Sequence, residues 1–256
     1  MNREEVPKDR RPLYAVESIS KRYGNVVALE NVNFSVAAGE VVGLVGDNGA
    51  GKSTLVSILS GVNIPDSGHI FLNGEERHWS SPHDALEAGI ETLYQDSGIA
   101  PDLTVAANVF LGREILKKGF LGLFGFLANR EMQERARKEL ERVGIATPAA
   151  SRPVSKLSGG QRQAVAIGRA VAWAKKVIIL DEPTNHLGAR QAAEVLDVIR
   201  QARERGLAVV FISHTLPHVL NVANRIVVLR LGEVAADQPA STFTRESLLR
   251  AITGLK

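Results

Sequence analysis

Gly46-Asp47-Asn48-Gly49-Ala50-Gly51-Lys52-Ser53 fits the pattern G-x-x-x-x-G-K-[ST]. Its glycines let backbone N–H groups close around phosphate oxygens, while Lys52 adds a point charge and Ser53 a hydroxyl ligand for magnesium. Such a loop carries weight only where a buried strand runs into it and a helix opens from it, so that the helix amides and dipole face the phosphates. Both flanks are legible. The apolar run 41–45 (VVGLV) precedes the loop, and residues 53–59 start a helical pattern that stops at Gly61. Thr54 is assigned to the same phosphate-binding set.

Working outward, residues 13–20 alternate apolar and polar, and residues 32–36 repeat that period after the Gly24-Asn25 turn, which predicts antiparallel strands at one edge. A short strand and turn are expected at 70–74, a helix with proline in its first turn at 82–88, and a strand at 90–94 ending at Gln95. Residues 105–143 are helix-forming, with Glu131, Glu134, Arg135 and Lys138 at helical spacings. Beyond Ser155, helical patterns (162–173, 190–205) alternate with apolar strands (177–180, 207–212, 225–229). Fully apolar strands between helices indicate a parallel sheet covered on both faces. The expected class is α/β, a P-loop core with an edge antiparallel β subdomain. Residues 12–95 and 162–235 are assigned to core and β subdomain, 96–161 to a helical subdomain and 236–256 to a short C-terminal segment, after a loose tail at 1–11. No internal repeat appears, so one such unit is expected.

Composition narrows the class. At 256 residues the chain can bury one sizeable core, and 45% hydrophobic with 23% charged residues is ordinary for a soluble globular protein. Lys and Arg total 31 against 28 Asp and Glu, so no basic tract points to nucleic acid. The chain has no cysteine, which removes disulfides, thiol catalysis and thiolate metal sites. The polar start reads as neither signal peptide nor membrane span. The apolar stretch 120–127 (FLGLFGFL) is far short of the roughly 18 to 20 residues needed to cross a bilayer.

About a hundred residues after the loop stands Leu157-Ser158-Gly159-Gly160-Gln161, followed by an acid-ended apolar strand, Val177-Ile178-Ile179-Leu180-Asp181-Glu182. This combination resembles the ATP-binding-cassette ATPases over almost the whole chain. The resemblance implies a RecA-like core with a helical subdomain bearing the second motif, ATP and Mg2+ as cofactors, and ATP hydrolysis coupled to transport. Asp181 is expected to help hold magnesium with Ser53, Glu182 to polarise the attacking water, and Lys52 and the switch histidine His214 to contact the terminal phosphate. Gln95 matches the glutamine loop, a magnesium or water ligand and hinge. Tyr23 stands where the family stacks an aromatic on adenine, a core role being the alternative. The remaining histidines, His186 included, read as surface or turn residues.

Two glycines ahead of the helix at 162–173 expose amides and a positive helix end suited to phosphate, yet the chain's own loop already surrounds its nucleotide. The family's solution is a head-to-tail pair, with Ser158, Gly159, Gly160 and Gln161 of one subunit closing on the nucleotide held by Gly46 to Thr54 of the other. One departure stands out. The broad family has S-A-L-D after the Pro-Thr turn, and this chain has Asn185-His186-Leu187-Gly188.

Gly188, Gly46-Asp47-Asn48 and Asn108-Val109-Phe110-Leu111-Gly112-Arg113-Glu114 are similar to bacterial ribose- and fructose-type uptake ATPases. That implies a subunit at the cytoplasmic face of the cell membrane, peripheral to it. Its expected partners are a second ATPase subunit, an integral membrane permease and, through the complex, an extracytoplasmic solute-binding protein. The solute is expected to be a monosaccharide, and the regulatory C-terminal domain of some other sugar importers is expected to be lacking. Service to another solute, an exporter role, or a soluble nucleotide-gated interaction module are the alternatives. Residues 120–127 are read either as partner-facing or as a buried helical hairpin.

Overall fold

A computed structural model describes residues 12–95, 98–145, 149–185 and 187–255. The expected tail at 1–11 and His186 lie outside them. The described residues form two compact units, one of those up to 92 with 174–182 and 202–255, the other of those within 93–173 and 183–201.

The first unit holds two sheets. Strands β1 (Tyr14–Tyr23), β2 (Val26–Val36), β4 (Ser67–Leu72) and β5 (Glu75–Arg77) form an antiparallel sheet in the order β2-β1-β4-β5. The second sheet runs β10-β9-β3-β8-β7-β6, with β3 (Val41–Gly46), β6 (Ile90–Leu93), β7 (Val177–Asp181), β8 (Ala208–Ile212), β9 (Arg225–Arg230) and β10 (Glu233–Pro239). β7, β8, β3 and β9 pair in parallel, as their continuous apolar sequences require, and every residue of β8 is buried. β10 adds an antiparallel edge that the apolar-run criterion could not detect, because its residues alternate between exposed and half-buried. Helices α1 (Lys52–Leu59), α2 (Pro82–Glu87), α8 (Leu216–Val222) and α9 (Arg245–Thr253) complete this unit.

Its core runs from Tyr14, Ile19 and Leu29 through Leu55, Ile58 and Leu59 to Val177, Val210 and Leu229. Within it the Tyr14 hydroxyl donates to the Leu59 carbonyl (2.6 Å) at the end of α1 and accepts from Trp79 Nε1 (3.0 Å). Burial pushes the phenol's pKa well up, so it stays a neutral donor.

The second unit is helical: α3 (Val105–Val109), α4 (Phe120–Leu123), α5 (Asn129–Arg142), α6 (Gly159–Trp173) and most of α7 (Ala189–Glu204). α5 buries Met132, Ala136 and Leu140, spaced by four, against α3 and α6. Its outer face carries the expected i,i+4 pairs, Glu131 with Arg135 among them. Fully buried Asn108 gives the sequence run 108–114 a structural purpose. Its Oδ1 accepts from the Ala100 amide (2.8 Å) and its Nδ2 donates to the Ala100 and Thr104 carbonyls, closing the loop before α3. No helix among the described residues is long and apolar enough to cross a membrane.

Candidate functional site

Parallel pairing brings the carboxyl ends of β3, β8 and β7 to one edge, with Leu44 beside Ile212 and Ile212 beside Asp181. The glycine-rich loop follows β3, His214 follows β8, and Asp181-Glu182 end β7. Three stretches far apart in sequence thus converge at the crevice where open α/β sheets bind ligands.

The loop delivers its phosphate-binding geometry. Gly51, the N-cap of α1, sits at φ +102°, and a Cβ there would lie 2.6 Å from the Ala28 carbonyl oxygen of β2. Only glycine meets both demands. α1 has no side-chain cap at its start, so its first amides face outward as an anion would require. Lys52 Nζ donates to the Gly46 and Asp47 carbonyls (2.8 and 2.9 Å), folding the cation back over the loop. Burial pushes its pKa down, opposed by the charges of Glu182, Asp181 and Asp47. That coupling places both acids within electrostatic reach of the loop lysine.

Asp181 is pushed up, first by burial and then by the neighbouring Glu182, with Lys52 acting the other way. Two carboxylates side by side in a desolvated place leave a deficit of positive charge. Glu182 has φ +52°, an unfavourable conformation for a residue before proline, and is tied by its amide to the Ile212 carbonyl (3.0 Å). Its Oε1 accepts from the His214 amide (3.0 Å) and lies 2.9 Å from His214 Nδ1, while Oε2 is buried without a hydrogen-bond partner among the described residues. A proton on Nδ1 would turn this contact into a hydrogen bond to the carboxylate and leave Nε2 on the far side of the ring. Sequence reading selected both residues, but nothing in the local sequence signals the strained φ or the unpaired oxygen.

Tyr23 lies at the tip of the β1–β2 hairpin, half exposed. Asn63 Nδ2 donates to its hydroxyl (2.9 Å) and the Lys21 ammonium stands 5.7 Å from its ring centroid. It is a surface residue, so the core alternative fails. Gln95 and the run Ser158 to Gln161 belong to the second unit, and Gln95 is exposed at its strand's end. Ser158 and Gln161 form a reciprocal cap, Ser158 N donating to Gln161 Oε1 (3.0 Å) and Gln161 N to Ser158 Oγ (3.3 Å). The cap occupies the Gln161 amide and leaves Gly159 and Gly160 to present the first amides of α6. Sequence reasoning missed this double duty, although S-x-x-Q ahead of a helix is its signature. It also missed Gln191, whose Oε1 accepts from the Gly188 amide (3.1 Å) at the start of α7.

The profile of the ABC transporter family matches residues 29–185, from β2 through the acidic pair. This chain belongs to the ABC transporter family. It is 42% identical to the fructose import ATP-binding protein FrcA of Rhizobium meliloti, over 96% of this chain and 95% of that one. It is 40% identical to the xylose/arabinose import ATP-binding protein XylG of Sulfolobus acidocaldarius, over 94% of each. Among solved structures it is similar to a dimeric ATP-binding cassette, MJ0796, in a post-hydrolysis state bound to ADP and Pi. That match has a TM-score of 0.74 at 26% identity, over 89% of this chain and 98% of that one.

Proposed function

We infer that this chain is the ATP-hydrolysing subunit of an ABC importer for a small sugar. The observation that carries the reading is the Glu182 carboxylate, anchored on one oxygen by the His214 amide and unpaired on the other among the described residues, within electrostatic reach of the lysine of a glycine-rich loop.

Each residue has a chemical task in that reading. The amides of Gly46 to Thr54 hold the phosphates and Lys52 turns from its own carbonyls to the phosphate oxygens. A divalent cation fits the site, because uncapped α1 and the charge deficit around Asp181 call for positive charge beside an anion. Ser53 and Asp181 would hold Mg2+, which would supply charge compensation on the phosphate oxygens. Glu182 Oε2 orients water and takes its proton as the oxygen attacks the terminal phosphorus, while the bond from that phosphorus to the bridging oxygen breaks and ADP leaves. His214, fixed by its Nδ1–H to Glu182, offers Nε2 to the phosphate. Tyr23 stacks on the base.

A second copy of the chain closes the pocket with Ser158, Gly159, Gly160 and Gln161. The dimeric state of the MJ0796 cassette and the presented Gly159 and Gly160 amides support this arrangement. The names of FrcA and XylG support a sugar as imported cargo, and the reading adds a peripheral place at the cytoplasmic face of a membrane with a permease and a solute-binding protein as partners.

Steady-state phosphate release by the purified chain, beside Glu182→Gln, tests the reading. The variant is expected to lose about 10²–10⁴-fold in turnover and to sediment as a dimer with ATP. Unchanged turnover would remove Glu182 from its role.

A further inference from the structure

Residues 115–128 form an arm. Leu116 bridges Leu127 in antiparallel fashion, Lys117 N donates to the Phe126 carbonyl (2.8 Å), Ala128 N donates to the Ile115 carbonyl (2.7 Å), and α4 forms the tip. The arm is not the buried hairpin that one reading of 120–127 expects. Phe120 is 73% exposed, Leu123 85%, Phe124 65% and Phe126 53%, with the Phe120 and Phe124 rings edge to face at 4.8 Å. Isolated exposed apolar residues are normal, but a contiguous group of three aromatics and a leucine is not.

The chemistry of the arm identifies what covers it. From Gly119 to Leu127 no side chain carries a hydrogen-bonding group, whereas a protein interface makes about one hydrogen bond per 100–200 Å². From Ile115 to Arg130 there is no acid, while Lys117 and Lys118 stand at the arm's base, in a chain otherwise nearly balanced in charge. Apolar tip and basic collar match the layers of a bilayer surface, acyl chains beneath anionic headgroups. A second copy on a two-fold axis would bring the same lysine pair together, which opposes self-association through this face.

We propose that the 115–128 arm inserts its aromatic tip into the surface of an anionic phospholipid bilayer, with Lys117 and Lys118 on the headgroups. The proposal rests on the reading that this subunit works at a membrane. It adds a direct lipid contact.

Flotation of the purified chain with vesicles of phosphatidylcholine containing 30% phosphatidylglycerol tests it, beside phosphatidylcholine alone. Binding is expected to the anionic vesicles, to fall at least tenfold in Phe120→Ser/Phe124→Ser, and to fall in Lys117→Gln/Lys118→Gln on anionic vesicles only. A Leu123→Trp probe is expected to shift its emission to the blue on binding, and circular dichroism and ATP turnover of the serine variant to match wild type.

Failure of the wild-type chain to float, equal flotation of the serine variant, or an unshifted Leu123→Trp probe would overturn the proposal. So would sedimentation showing that the tip is covered by a second copy, or serine substitutions that cost only permease co-purification, which would give the arm to a protein partner. Absent turnover with intact flotation would sink the hydrolytic reading and leave the arm standing, whereas intact turnover without flotation would sink the arm alone.

Discussion

Replacing Tyr14 by Phe deletes one oxygen that serves two buried partners. The hydroxyl donates to the Leu59 carbonyl at the end of α1 and accepts from the Trp79 indole N–H, with Tyr14 fully buried and Trp79 8% exposed. An abandoned buried polar group costs roughly 1–3 kcal/mol. Two such groups, partly relaxed, give a loss of about 3 kcal/mol, which for a chain of this size lowers the melting temperature by roughly 6–12 °C.

The assay is urea unfolding of Tyr14→Phe, Trp79→Phe and the double variant at neutral pH. Trp79→Phe removes the orphaned donor, so the double variant should be more stable than the sum of single losses predicts, by about 1 kcal/mol. Because burial keeps the phenol protonated, the Tyr14→Phe loss should be the same at pH 7 and pH 9. A loss below about 0.5 kcal/mol, or strict additivity, would refute the shared-oxygen account.

Asp181 titrates above its ordinary range, so the stability it contributes is complete below about pH 4 and is lost as pH rises through the raised value. Asp181→Asn should therefore unfold at higher urea than wild type at pH 7, and the gap should close as pH falls below about 4. Gly43 lies midway along β3, where an added Cβ would come 2.4 Å from Val219 Cγ1 and 3.3 Å from Ala223 Cβ. Gly43→Ala should cost about 1–3 kcal/mol by overpacking, and Val219→Ala should recover part of it in unfolding measurements. Gly51→Ala meets the Ala28 carbonyl and an unfavourable φ together, so titration with a fluorescent ATP analogue should show affinity reduced at least tenfold.

Strands β3, β7, β8 and β9 are legible because strands buried on both faces are apolar throughout, and the phosphate loop because glycine, lysine and serine at fixed spacing have few other uses. β5, β10, α8 and α9 are not. β5 is three exposed residues, Glu75 to Arg77, with no apolar periodicity at all, and β10 alternates at an edge. α8 is seven residues opened by Leu216-Pro217, too short for a helical period to emerge. At the site, Glu182 and His214 are found from position, but their shared hydrogen bond depends on a register between β7 and β8 that links residues 32 apart. Gln161 escaped notice as a cap because it lies inside a motif read for function, and Gln191 because it sits in a stretch read only as helix.

Gly51 rests against Ala28, and Gly232 joins both neighbours, its amide donating to the Ala50 carbonyl and its carbonyl accepting from the Glu30 amide. The β1–β2 ribbon and the phosphate loop are therefore stitched largely through backbone atoms. Tyr23 rides on that ribbon, so a motion of the ribbon carries Tyr23 and the glycine-rich loop together. If Tyr23 stacks on the base as proposed, a single stiff jaw would hold both ends of the nucleotide.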